Sequence, residues 1–224
     1  MISPQLCVIS GESADVTACL LSQILASRGR TGLAALTVGF DGGVEQLLGR
    51  LEEGGCRYAV LALPEGSGGA LDRAAETAVI LTRGTGEAAE ELTRRCRNAV
   101  INLDDPDGAA RAPGQARVWT ISERRNDADV TAKNLRLLPF RTEFEAVTQN
   151  AICRLSVPLP EGRGLYPGLA AACAALTFGV SVEECARRLR TAEPVPVGMI
   201  PLGSTGPFAA AGYFENGSTV KRRI

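Results

Sequence analysis

Histidine is absent from the 224 residues. Its absence removes both the commonest general base near neutral pH and the commonest metal ligand. Long apolar runs are missing too. No stretch approaches the ~20 residues that span a bilayer as a helix, and no basic segment followed by an apolar one marks a secretory leader. These features predict a cytoplasmic protein with no membrane partner. Charge of one sign is also lacking: 24 Lys and Arg stand against 25 Asp and Glu, a net charge of −1. The basic residues are scattered, so no stripe exists to follow a phosphate backbone and no nucleic-acid partner is expected. Paired cysteines are missing as well. The seven cysteines, at 7, 19, 56, 96, 153, 173 and 185, form no CxxC pair, which predicts reduced core thiols rather than a metal or redox centre.

What is present is ordinary for a globular chain, with 45% apolar and 22% charged residues. The length fits one domain plus an appendage. Leu6–Ser10 reads as a buried strand ending at Gly11. A polar turn follows, with Ser13 as a candidate N-cap, and then a helix whose apolar face carries Val16, Cys19, Leu20, Ile24 and Leu25 and which Gly29 is placed to end. A strand over Leu33–Val38, a turn at Asp41-Gly42-Gly43, a helix over Val44–Glu53 and a strand over Tyr58–Leu63 continue the alternation. So do a strand over Thr77–Thr82, a helix over Glu87–Arg97 and a strand over Ala99–Leu103. This spacing predicts an α/β fold with a mostly parallel sheet flanked by helices. The character changes after Val118. Val130–Leu138 and Glu143–Leu155 alternate apolar and polar residues about Pro139-Phe140-Arg141, predicting a small antiparallel hairpin. Helices over Leu165–Phe178 and Val182–Arg190 follow, then a Pro- and Gly-rich stretch beyond Pro194 and a basic end at Lys221-Arg222-Arg223.

Several strings, in order, resemble the P-loop-type central, ATP-binding domain of the Mur ligases, in the branch that adds the third residue to UDP-MurNAc-dipeptide. Ile9-Ser10-Gly11 followed by Cys19–Leu25 is similar to the family's ITGTNGKTT…LLAQIL. Ala99–Pro106 is similar to VINxDDP, and Ala128-Asp129-Val130 with Asn134-Leu135 to ADVxAxNI. Leu159, Gly162-Arg163, Tyr166 and Leu169-Ala170-Ala171 resemble PLxGRxNVYNALAA, and Pro194-Val195-Pro196 resembles PVPGRME. The likeness covers residues 5–216. It implies a central domain over 1–205, with 206–224 a remnant of the link to a third domain, and no counterpart of the family's UDP-sugar-binding and amino-acid-binding domains. The vestigial nucleotide region it implies comprises Gly11, Ser13, Thr17, Asn102, Asp104 and Asp105.

The departures from the family pattern fall on the groups that handle ATP. A phosphate loop needs small residues, a Lys on the phosphates and a hydroxyl on Mg²⁺. Here Ala14 stands for the second glycine, Asp15 for the Lys and Val16 for the Thr. At ~4 Å and an effective dielectric of 20, one like-charge pair costs about 4 kcal/mol, or on the order of 10³ in affinity. The family's Mg²⁺-binding Glu aligns with Ala62, with Glu65 a displaced acid at most, and Thr82–Thr85 keeps neither the His nor the acid of that segment. Arg94 and Arg95 stand near the carbamylated Lys, and Arg forms no carbamate because it stays protonated. Gly164 and Pro167 replace two Asn residues, and Gly212–Gly217 replaces DYAHNP.

No catalytic residue, metal ligand or cofactor is therefore expected. The favoured reading is a degenerate, inactive Mur-ligase-like scaffold, regulatory or binding module linked to peptidoglycan metabolism. One alternative is an ATP-dependent ligase, using ATP and Mg²⁺, that another chain completes; the other is a non-catalytic nucleotide or small-molecule binder. Met199, Ile200, Leu202, Phe208, Tyr213 and Phe214 crowd an aperiodic stretch, which predicts a protein partner or a homo-oligomer.

Overall fold

A computed structural model describes residues 3–36, 44–63, 74–80, 94–105, 116–193, 209–215 and 218–220. The order is β1 (Gln5–Ser10), α1 (Ala14–Leu25), β2 (Thr31–Leu36), α2 (Val44–Glu53), β3 (Tyr58–Leu63), β4 (Ala75–Ile80), β5 (Cys96–Asn102) and β6 (Arg117–Ser122). Then come β7 (Val130–Leu137), β8 (Thr142–Val147), β9 (Ile152–Val157), α3 (Leu165–Thr177), α4 (Val182–Arg190), β10 (Ala209–Glu215) and β11 (Ser218–Val220). All strands join one sheet in the order β11-β10-β2-β3-β1-β4-β5-β6-β7-β8-β9. The central run from β2 to β7 is parallel, and β8, β9, β10 and β11 add antiparallel at its two ends.

Strands buried on both faces explain the continuous apolar runs. In β1, Cys7 and Ile9 face a core shared with α1, α3 and α4, while Leu6 and Val8 face the core of α2; Tyr58, Val60 and Ala62 part in the same way from Ala59, Leu61 and Leu63 of β3. The terminal meander has a single buried face. Val130, Ala132, Phe144, Ala146, Leu155 and Val157 join the first core, and Lys133, Glu145 and Arg154 line up in register on the other side. That one-sided burial produces the period-two alternation. All seven cysteines are free, six of them buried. Burial pushes the Cys19 and Cys96 thiols up to about 11 and Cys185 up to about 12, so they stay protonated core groups. Among the described residues no helix is long and apolar enough to cross a membrane.

The differences from the sequence reading have local causes. α1 ends at Leu25, with Ala26 as its C-cap, before Gly29 is reached. Cys96 and Arg97 begin β5 instead of closing a helix, because Cys96 pairs with Ala75 of β4; residues 87–93 of that predicted segment lie outside the described residues. Arg117–Ser122, given no element above, is a sixth parallel strand, with Trp119 held by its indole N–H donating to Asn98 Oδ1 at 3.2 Å and by the Arg117 guanidinium 4.4 Å above its ring. Glu143–Leu155 is two strands, not one: at Thr148–Ala151 the Ala151 N–H donates to Thr148 Oγ1 at 3.1 Å and the Thr148 N–H to the Ala151 carbonyl at 2.9 Å. Residues 209–214 pair antiparallel with β2, so Tyr213 and Phe214 sit in a strand; Met199, Ile200, Leu202 and Phe208 lie outside the described residues.

Helix α3 crosses the sheet and is fastened near both ends. Thr177 and Thr77 share a hydroxyl–hydroxyl hydrogen bond of 2.6 Å near the start of β4. Contact with the sheet is close enough to require glycine: a Cβ on Gly168 would stand 2.5 Å from Val157 Cγ2, whereas one on Gly49 of α2 would meet nothing within 4 Å. Gly168→Ala is therefore expected to destabilise the fold by about 1–3 kcal/mol despite the better helix former, and Gly49→Ala to stabilise it by up to ~1 kcal/mol. Urea unfolding of both variants beside the parent checks the pair; stabilisation by Gly168→Ala contradicts the packing described.

Candidate site at the carboxyl edge of the sheet

β1, β4, β5 and β6 are parallel neighbours in register, so their carboxyl ends form one edge. In open parallel sheets this edge is where ligands bind. Two sequence-predicted groups lie on it. Gly11, Ser13 and Thr17 belong to the loop and first turn after β1; Asn102, Asp104 and Asp105 belong to the turn after β5. β4 separates them, a gap of about 10 Å from two strand spacings.

The first group is organised by the chain's own polar atoms. Gly11 turns the chain with φ 110°, a conformation open to glycine. Ser13 holds the N-cap position of α1 but in the left-handed region, φ 61°, and its side chain accepts nothing from the helix. A hydroxyl cap works best from an extended residue, so the capping role predicted for Ser13 Oγ is not realised. The Ser13 carbonyl instead accepts the Thr17 amide at 2.9 Å and the Thr17 hydroxyl at 3.0 Å. Thr17 is fully buried, and its hydroxyl serves the helix backbone. Two first-turn amides that usually lack an intrahelical acceptor find one nearby: Ala14 N–H donates to the Gly11 carbonyl at 3.2 Å, and Val16 N–H to Asp15 Oδ1 at 2.8 Å. The Asp15 carboxylate thus sits at the positive end of α1, where an anion is favoured.

The second group centres on Asp104. Its Oδ1 accepts from the Ser122 hydroxyl at 2.6 Å; its Oδ2 accepts from the Glu123 amide at 2.6 Å and the Tyr166 hydroxyl at 3.0 Å. Asn102 Oδ1 accepts the Asp104 amide at 3.0 Å, which fixes the turn, and Asn102 and Asp105 are both buried. Ser122 Oγ also accepts the Arg124 and Arg125 amides at 3.0 and 2.7 Å. Partial burial pushes the Asp104 carboxyl upward, yet the hydrogen bonds from Ser122, Glu123, Tyr166 and Arg124 together hold it below the ordinary aspartate value. Tyr166 is pushed up by burial and by its bond to Asp104, so it remains a donor. The cluster joins β5, β6 and the first turn of α3. Ser122 is the member that sequence reasoning missed: it ends β6, a strand that the sequence pattern does not mark, and nothing local marks the hydroxyl's role. Glu65 and Thr82–Thr85 lie outside the described residues, and so does Pro106. Ala62 lies buried in β3. Arg94 and Arg95 immediately precede β5, and Asp129 accepts from both the amide and the hydroxyl of Thr120 at 2.8 and 2.7 Å.

A carboxyl held below its unfolded value stabilises the fold above that value, near 3.9, and loses the contribution as pH falls through the folded value. Tyr166→Phe is expected to cost about 1 kcal/mol at pH 7, and the gap between variant and parent to narrow as pH falls below the ordinary aspartate value. Urea titrations at pH 7, 5 and 3 check this; a pH-independent gap would show that the ionised carboxylate is not the acceptor.

No protein-family model matches the chain. It is 26% identical over 106 residues to the UDP-N-acetylmuramoyl-tripeptide–D-alanyl-D-alanine ligase of Escherichia coli (strain K12), covering 46% of this chain and 24% of that protein. It is 32% identical over 103 residues to the UDP-N-acetylmuramoyl-L-alanyl-D-glutamate–2,6-diaminopimelate ligase of Geobacillus kaustophilus (strain HTA426), covering 46% and 21%. Among solved structures, the UDP-N-acetylmuramoylalanyl-D-glutamyl-2,6-diaminopimelate–D-alanyl-D-alanyl ligase of Acinetobacter baumannii superposes with a TM-score of 0.74 at 23% identity, over 86% of this chain and 47% of that one. The MurF ligase of Thermotoga maritima in complex with ADP gives 0.64 at 16% identity, over 83% and 48%. The folylpolyglutamate synthetase of Lactobacillus casei gives 0.61 at 13%, over 83% and 62%. The matched region thus spans under a quarter of these curated relatives and under half of the Mur structures. A mixed, mostly parallel sheet flanked by helices, Mur ligases as sequence relatives and Mur ligases as structural neighbours together give this chain a Mur-ligase central-domain-like fold.

Proposed function

We propose that this chain is a Mur-ligase-like protein that does not hydrolyse ATP and works as a cytoplasmic scaffold, regulatory or binding module connected to peptidoglycan metabolism. The observation that carries the reading is the Asp15 carboxylate, whose Oδ1 accepts the Val16 amide at 2.8 Å in the first turn of α1. A triphosphate needs those amides open and a cation beside them; here one amide is taken by a carboxylate and another by the Gly11 carbonyl. The Thr17 hydroxyl is buried and donates to the Ser13 carbonyl of the helix backbone. These residues do not fit Mg²⁺-ATP. The Asp104 cluster supports the same reading, since three donors already occupy that carboxylate. Removing one charge-stabilising donor costs about 10²–10³ in rate in enzymes that depend on it, and here Lys, hydroxyl and carboxylate are replaced together.

Turnover of ATP, with or without UDP-MurNAc-peptides and amino acids, is expected to stay at the level of a protein-free control. Activity above that level, abolished by substitution within residues 11–17, would overturn the reading. The double variant Asp15→Lys, Val16→Thr is expected to gain nucleotide affinity by up to ~10³ through loss of the repulsion, measured by calorimetric titration. No gain in a folded double variant would mean that the loop backbone, not the Asp15 charge, excludes the phosphates.

A further inference from the structure

The tip of the β7–β8 hairpin carries four of the five large apolar side chains that stand exposed among the described residues. Leu135 is 38% exposed, Leu137 59%, Leu138 39% and Phe140 84%. The tip is a defined turn, closed by the Leu138 amide on the Arg141 carbonyl at 2.9 Å. The side chain of Leu137 lies against Gly162, where a Cβ would meet its Cδ2 at 3.2 Å. Arg141 anchors the base, donating to the Leu189 and Arg190 carbonyls at 3.2 and 3.0 Å. Since β7 runs parallel to β6, the tip projects from the carboxyl edge, the edge that holds the Asp104 turn.

Size and charge decide what covers it. Four side chains of this kind offer about 400 Å² of apolar surface, half of the ~800 Å² per partner that a stable dimer buries. The rim carries exposed Arg163 and Arg190 against exposed Glu161, while Arg136 stands cross-strand from Glu143 and beside Glu145. Two copies meeting through this face would bring like-charged rims together. The patch spans the end of β7 and the turn that closes it, so a partner must lie across the tip. We propose that the hairpin Leu135–Phe140 docks a short apolar segment of another protein whose flanking side chains are carboxylates. This surface is independent of the α1 loop and of whether the loop binds nucleotide.

The probe is a pair of labelled 15-residue amphipathic helical peptides sharing one Leu/Phe face, one with Glu and one with Lys on the flanks. Anisotropy titrations of the full chain are expected to show the Glu peptide binding at least tenfold more tightly than the Lys peptide. Phe140→Glu is expected to abolish that binding. Arg163→Glu with Arg190→Glu, whose side chains are exposed, should weaken it about tenfold and leave the fold intact by circular dichroism. Equal or absent binding of both peptides overturns the proposal, as does a Phe140→Glu variant that binds normally. A concentration-dependent dimer in light scattering that Phe140→Glu dissolves would assign the patch to a second copy instead. Phe140-dependent sedimentation with phosphatidylglycerol vesicles, without peptide binding, would assign it to a membrane surface and equally overturn the proposal.

Discussion

Amides at the start of a helix must find acceptors, and α1 finds two within a few residues of itself. Ala14 donates to Gly11 and Val16 to the Asp15 carboxylate. The left-handed turn at Ser13 supports this closure by aiming its carbonyl at both donors of Thr17. A helix start is a natural anion seat because four amides and the helix dipole point outward. Supplying the negative charge from within stabilises the first turn by a few tenths to about 1 kcal/mol, and it sets an incoming phosphate against a fixed like charge.

The remainder of the carboxyl edge is held by α3. Tyr166 near its start is bonded to Asp104 and Thr177 at its end to Thr77, so the helix is tied to the turn after β5 and to β4. Its first turn passes so close to β9 that Gly168 is needed. α1 packs against this fixed helix within one core, so the loop after β1 rests on a rigid support. The same frame carries the meander outward and leaves its hairpin tip exposed beside the edge. Gln23 adds a fastening from α1, its amide oxygen accepting the Glu193 backbone N–H at 2.8 Å after α4.

Elements were legible where periodicity and punctuation agree. Val44–Glu53 and Tyr58–Leu63 are bounded by Gly54-Gly55 and match the structure residue for residue, as does Val182–Arg190 with its Ser181 cap bonded to the Glu184 amide at 3.3 Å. β6 was not legible, because Val118 and Trp119 are only half-buried and the strand carries Arg117 at its start. The division between β8 and β9 was signalled only by Thr148-Gln149-Asn150, which the surrounding alternation obscures. β10 depends on β2 as its partner, a contact between distant segments that no local pattern encodes. In the candidate site, the grouping into two loops on one edge was readable from the strand ends, and the identity of Asp15 announced a charge conflict. The hydrogen-bond directions were not readable: a sequence shows that Thr17 has a hydroxyl, and only packing shows that the hydroxyl is buried on the Ser13 carbonyl.

The central claim is that α1 satisfies its own first turn and leaves no seat for a nucleotide phosphate. Its most direct test is a ¹⁵N-labelled amide spectrum of Gly11–Thr17 recorded while Mg²⁺-ATP is added. The Ala14 and Val16 resonances are expected to hold their positions through millimolar nucleotide, and Asp15→Ala to shift Val16 in the absence of any ligand. Saturable movement of the Gly11–Thr17 amides in the parent protein would contradict it.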